Sequence, residues 1–185
     1  MNARKQQGFT MIELIVVIVI LGVLAAVALP RMTNLQRDAR VAKLNAARGA
    51  INAATAMVYG TALARQGVAQ PVCPATGAVP TTINATTGNG QICTQNGVVN
   101  VTSLYPAATN AGIIAAAGLV PTNAAPTVAT LAAEGYVVTF AGTVATIQVT
   151  GGPTPATCSI TYTGPAALGA APTIQQVLAA NTVGC

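Results

Sequence analysis

Few side chains in this 185-residue chain can do acid–base, nucleophilic or metal chemistry. There is no His, and the carboxylates are Glu13, Asp38 and Glu134. General acid–base catalysis needs a positioned His, carboxylate or Lys. Beyond Arg65 the only charged side chain is Glu134, and a lone Glu with no neighbouring base makes a poor active site. The pattern argues against an enzyme. The four cysteines, Cys73, Cys93, Cys158 and Cys185, have neither CxxC spacing nor His companions, so they do not resemble a zinc set. Neither a metal nor another cofactor is expected.

Glu13 is the informative residue. It lies near the start of the apolar run Phe9–Leu29, which is long enough to span a bilayer. A carboxylate in a membrane helix costs roughly 2.5–3.5 kcal/mol at the centre and less near an end. Three readings of the run compete. It resembles a secretory signal, with Arg4 and Lys5 as the basic start and Ala26-Val27-Ala28 as a small-residue cleavage site. It also reads as a plain membrane anchor. In the third reading the chain is cut between Gly8 and Phe9 and the helix stays on the mature protein. Only the third uses Glu13. The cut creates an α-amine on Phe9, one helical turn from the carboxylate and near the positive end of the helix dipole. Glu13 can also meet the amine of a neighbouring copy, which makes it a register mark between helices packed side by side.

The totals support an exported or self-packed protein. The chain is 52% hydrophobic and 6% charged, against about 25% charged in an ordinary soluble domain. All eight Lys and Arg lie between Arg4 and Arg65. The rest, rich in Ala, Thr, Gly and Val, suits packing among copies or exposure outside the cell. The cysteines all follow the apolar run, so an oxidising compartment and disulfides are expected. Four cysteines allow three connectivities. Pairing Cys73 with Cys93 and Cys158 with Cys185 closes each loop within one region.

The positioning elements follow from periodicity. One long helix is predicted from Phe9 to about Arg65, broken or bent near Gly22 and Pro30. After Pro30 it becomes amphipathic. Met32, Leu35, Ala39, Ala42, Ala46, Ala50, Ala53 and Met57 recur at three- and four-residue spacing, widened by Val41, Leu44, Ile51 and Val58. This face should hold a sheet. Arg37, Arg40, Lys43 and Arg48, with Asp38, are expected on the other. That basic row invites a DNA-binding reading, but without interleaved aromatics or a base-reading motif it fits subunit contacts or a solvated face better.

Residues 67–135 read as loop-rich, with Gly, Pro, Thr and Asn of turns. A short helix is predicted at about Asn110–Ala117, stopped by Gly118. Tyr136–Gly142, Thr143–Thr150 and Thr157–Gly164 alternate or are β-branched and predict an antiparallel sheet packed on the helix. The tail is expected to hold one helical turn before Cys185. Two Asn-x-Thr sequons, at Asn84 and Asn100, read best as chance matches.

The stretch "GFTMIEL", followed by an apolar run and Pro30, resembles the prepilin-peptidase site of type IV pilins and of type II secretion pseudopilins. The resemblance implies an α+β fold, a long N-terminal helix packed on an antiparallel head with disulfide loops. It implies a leader of residues 1–8 cut after Gly8, N-methylation of Phe9 by the same membrane peptidase, and assembly guided by Glu13. "NLQRDAR" and "AMVYG" are most similar to MSHA-type (mannose-sensitive haemagglutinin) pilins. Cys158–Cys185 looks like the C-terminal disulfide loop of that family.

On this basis residues 9–29 are the transmembrane and assembly helix, 30–66 the amphipathic helix, and 136–185 the sheet with its disulfide loop. The implied partners are other copies of the chain, the inner membrane, prepilin peptidase, and an assembly platform with its ATPase. A host or surface ligand would follow from adhesion. The implied route runs from single-pass inner-membrane protein, head in the periplasm, to extracellular fibre. One feature opposes this orientation: Arg31, Arg37, Arg40, Lys43 and Arg48 follow the apolar run, where the positive-inside rule expects few cations. A pseudopilin of type II secretion is the alternative. A secreted binding protein starting near Leu29 is the third class.

Overall fold

The computed structural model describes residues 9–120 and 126–185, and of residues 29–34 within the first helix only the backbone. The chain divides into two units, residues 1–39 and 40–185. Helix α1, Met11–Ala64, begins in the first and ends in the second. Its backbone is helical through Gly22 and Pro30, so the chain does not leave the helix at either residue.

In the second unit α1 supports two antiparallel sheets. The first is β1 (Gly90–Thr94), β2 (Gly97–Thr102) and β3 (Tyr105–Pro106), in that order. A helical segment follows and ends in α2 (Ala115–Ala117), then α3 (Val128–Ala133). The second sheet is β4 (Tyr136–Ala141), β5 (Val144–Val149), β6 (Ser159–Thr163) and β7 (Thr173–Ile174), again in chain order. The expected α+β arrangement is therefore present. A 3-10 turn at Ala179–Asn181 forms the helical turn expected in the tail.

The predicted stripe on α1 is displaced. The buried residues are Leu44, Ala47, Ile51, Ala54, Thr55, Val58 and Ala62. Leu35 and Met57 are 65% and 64% exposed, and Ala39, Ala42, Ala46 and Ala53 are exposed with them. The side chain of Met32 lies outside the described residues. Alanine burial gains little, so the branched residues set which face turns inward. Leu44 and Ile51 pack with Ile147, Ile160 and Tyr162 of the second sheet. Ala54, Val58 and Ala62 pack with Ile92 and Val99 of the first, with Leu104 of its turn and with Ile83. Each fully buried aliphatic side chain contributes about 1.5–3 kcal/mol. The hydroxyl of buried Tyr162 donates to the Pro106 carbonyl at 2.7 Å and so joins the sheets.

The stretch expected to be loop-rich thus contains a sheet. Its signal was Asn96-Gly97 between "QICT" and "VVNVT", a hairpin pattern submerged in turn-forming composition. α3 was equally unmarked; its capping box is built from Thr127 and Thr130, without the Glu or Gln that usually advertises one.

The β2–β3 turn is unusual. Thr102 pairs with Tyr105, and the two residues between them, Ser103 and Leu104, have φ of 51° and 72°. Such turns normally take Asn-Gly. Here Leu104 fills the first-sheet core, and its N–H donates to the Gly88 carbonyl at 2.8 Å. The Ser103 N–H donates to Asn89 Oδ1 at 2.9 Å. Ser103→Gly should therefore be neutral or stabilise by up to about 1 kcal/mol, as the left-handed strain is relieved. Leu104→Gly should destabilise, because it removes a buried side chain. Urea midpoints of the two variants, compared with wild type, check this.

The predicted helix at 110–117 is present, with an irregular start. Asn110–Ile114 is a π-type turn in which Gly112 has φ −104° and ψ −107°. Gly118 ends the segment at φ 60°. The Ala107 carbonyl accepts from both Thr109 and Ile113 N–H at 2.8 Å. A Cβ on Gly112 would collide with that carbonyl.

Cys73 is joined to Cys93, and Cys158 to Cys185, 20 and 27 residues apart. The first fastens the 66–83 segment to β1. The second fastens the end of the tail to the residue before β6. In the chain-entropy picture loops of this size gain about 3–4 kcal/mol each.

Candidate processing and assembly site

Gly8 and the leader lie outside the described residues, so of the expected scissile bond only Phe9 is seen. Phe9 is 89% exposed, and nothing between it and Ala28 is buried. Met11–Ala28, mean hydropathy 3.0, is long and apolar enough to cross a membrane.

Thr10 precedes the first helical residue. Its N–H and its hydroxyl both donate to Glu13 Oε2, each at 2.8 Å. The Glu13 N–H donates to Thr10 Oγ1 at 3.3 Å. This is a capping box, a Thr and a Glu three residues apart that satisfy each other's free N–H groups. The Thr10-x-x-Glu13 spacing is the sequence signature of such a box. Both recorded bonds use Oε2. Oε1 has no recorded protein donor among the described residues and can accept from a second amine.

The basic row on α1 is not a free surface. The Arg40 guanidinium donates to the main-chain oxygen of Cys185 at 2.6 Å. The Lys43 ammonium donates to the Glu134 carbonyl and sits 4.3 Å above the Tyr136 ring. Arg48 Nε donates to the Gln175 carbonyl at 3.2 Å. Burial first, then nearby Glu134, raises the Tyr136 phenol above its ordinary pKa, so the ring under Lys43 stays neutral. The three cations clamp the helix to the second sheet and the tail. The expectation that they line the face away from the sheet is corrected: long side chains reach back over the rim of the apolar contact to orphan carbonyls. Arg37 and Asp38 are exposed, as expected. Among the described residues no cluster of His, Cys, Asp or Glu could hold a metal.

Residues 3–29 match the family described as the prokaryotic N-terminal methylation motif. The chain is 43% identical over 53 residues to the type IV narrow pilus major component PilA5 of Thermus thermophilus, covering 29% of this chain and 46% of that protein. It is 45% identical over 56 residues to the type II secretion system core protein G of Pseudomonas aeruginosa, covering 30% and 37%. The chain thus spans less than half the length of these relatives. No solved structure matches it significantly. The apolar helix and the methylation motif fit anchoring in the inner membrane followed by assembly. The chain carries the N-terminal methylation signal of prepilins and is homologous, over under a third of its length, to a type IV pilus component and a type II secretion protein.

Proposed function

We propose that this chain is the structural subunit of a type IV pilus, most like the MSHA-type pilins, and not an enzyme. The observation that carries the reading is the methylation motif on residues 3–29 leading into an exposed apolar helix whose first turn holds Glu13. Prepilin peptidase removes residues 1–8 and methylates Phe9. The helix then leaves the inner membrane through an assembly platform driven by an ATPase. Glu13 takes the amine of a neighbouring subunit while its own cap holds the helix start. Gly22 and Pro30 are the points at which packed helices can yield. The uncharged head forms the outer surface and serves adhesion or attachment to a surface or host ligand. A role in DNA contact is not favoured, since Arg40, Lys43 and Arg48 are occupied by carbonyls.

The similarity to a type II secretion core protein supports a second reading, a pseudopilin. Mass spectrometry of the mature N-terminal peptide tests both. A peptide starting at N-methylated Phe9 is expected. A start near Leu29 would overturn both. Long surface fibres by electron microscopy then separate the pilin from the pseudopilin, which predicts a secretion defect without fibres.

A further inference from the structure

Two Asn-Gly pairs occur in the chain, Asn89-Gly90 and Asn96-Gly97. Each has the chemistry for spontaneous loss of ammonia. The main-chain nitrogen of the glycine, its proton lost to solvent base, attacks the Asn Cγ and closes a five-membered imide. The Cγ–Nδ2 bond breaks and ammonia leaves. Water then opens the ring. Breaking the new N–Cγ bond gives aspartate. Breaking the C–N peptide bond after the Asn gives isoaspartate, whose main chain runs through Cβ and Cγ. One water is consumed, one ammonia is released, and no electrons are transferred. Glycine favours closure because it has no Cβ to crowd the nitrogen or restrict φ. The two pairs are alike in sequence but not in the fold.

Asn89 is tied down. Its Oδ1 accepts from the N–H of buried Ser103 at 2.9 Å. Its N–H donates to Thr87 Oγ1 at 3.3 Å, and its carbonyl accepts from the Asn84 N–H at 2.8 Å. Gly90 is wedged as well, since a Cβ there would meet the Thr82 carbonyl and the Ile83 backbone. Closing the imide would leave the Ser103 N–H buried without its acceptor, which is costly. Asn96 sits in the turn between β1 and β2, where Thr94–Gly97 is the last pair of the ladder. Its N–H donates to Thr94 Oγ1 at 3.2 Å, but its carboxamide has no recorded hydrogen bond among the described residues. The carboxamide rests against Gly118 and borders an open cavity of about 260 Å³, lined also by Met57, Thr61 and Gln95. It has room to turn, and water can reach it. Gly97, at φ 108°, needs only the end pair of the hairpin to open, and ladder ends open at low cost.

We propose that Asn96 is a site of spontaneous deamidation through a cyclic imide with Gly97, and that the fold protects Asn89 from the same reaction. The product is a carboxylate at the tip of the β1–β2 hairpin. From Gln66 to Cys185 the only charged side chain is Glu134, so the reaction adds a second charge to a nearly uncharged surface. It sets that charge against Gly118, at the C-terminal end of the helical segment, where a negative charge is disfavoured. Isoaspartate also lengthens the main chain of a two-residue turn, which breaks the Thr94–Gly97 pair. Asn96 thus records the age of the molecule and, as it reacts, loosens the hairpin from the helical segment. None of this depends on the fibre reading.

The test is incubation of the full-length chain in detergent micelles at mildly alkaline pH, followed by fragmentation mass spectrometry, which locates the gain in mass as an amide becomes an acid. In the folded chain Asn96 should convert about tenfold faster than Asn89, the factor supplied by one hydrogen bond that must break first. With the disulfides reduced and the chain unfolded in urea, the two should convert at similar rates. An L-isoaspartyl methyltransferase should label the aged folded chain at residue 96. Asn96→Gln, whose longer side chain closes the imide poorly, should remove that label. The Gly97 amide should exchange with solvent faster in aged protein than in fresh. Equal conversion of Asn89 and Asn96 in the folded chain overturns the proposal. So does conversion of Asn96 in urea but not in the folded chain. Gly97 exchange that conversion leaves unchanged overturns the loosening.

Discussion

Glu13→Ala should abolish fibres while leader removal continues. The substitution takes away two things at once, the acceptor of the Thr10 cap and the charge. They can be separated. Glu13→Gln keeps an oxygen for the Thr10 N–H and hydroxyl but carries no charge. Thr10→Val keeps the charge and loses the cap. Loss of an N-cap costs about 1 kcal/mol, which frays one turn of a 54-residue helix. An amine buried among apolar helices without its carboxylate costs several kcal/mol. The charge therefore dominates. Glu13→Gln should fail like Glu13→Ala, and Thr10→Val should assemble with modest loss. Counting fibres by electron microscopy, with leader cleavage followed by mass, checks all three. Wild-type fibre numbers from Glu13→Gln would reduce Glu13 to a helix cap.

The largest stability effect should come from Gly112→Ala. The new methyl meets the Ala107 carbonyl, which is held by two N–H donors and cannot withdraw. Buried Ile113 and Ile114 follow directly, so any shift of the backbone reaches the core. A loss of about 3 kcal/mol is expected from overpacking against that carbonyl. Gly49→Ala is the control with the opposite sign. Gly49 is exposed in mid-helix with open space where the methyl would go, and alanine should stabilise by about 1 kcal/mol there. Thermal melts of the unassembled full-length chain should move in opposite directions. If both variants melt as wild type does, the tight approach at Gly112 is wrong.

These residues also show what the sequence could and could not reveal. The β-branched alternation of Val144–Val149 and Ser159–Thr163 marked the second sheet because one face of each strand had to be apolar. Gly118 marked a helix end because its backbone is left-handed. The buried face of α1 is ambiguous in sequence because alanine fits either side, and only Leu44, Ile51 and Val58 carry the information. Arg40, Lys43 and Arg48 were misplaced for a related reason. Sequence spacing gives the direction of a Cβ, whereas a long basic side chain ends wherever a carbonyl lacks a donor. At the candidate site, residue types draw attention to Phe9 and Glu13. The hydrogen bonds from Thr10 that hold Glu13 required coordinates.

The confinement of every Lys and Arg to residues 4–65 has a consequence for survival outside a cell. A trypsin-like protease cleaves only after Lys or Arg, and from Gln66 to Cys185 it finds neither. Of the sites that precede the head, those at Arg40, Lys43 and Arg48 lie within an α-helix with their side chains bound to carbonyls. Such backbone cannot enter a protease cleft without local unfolding. A trypsin-like protease therefore finds no cleavage site within residues 66–185.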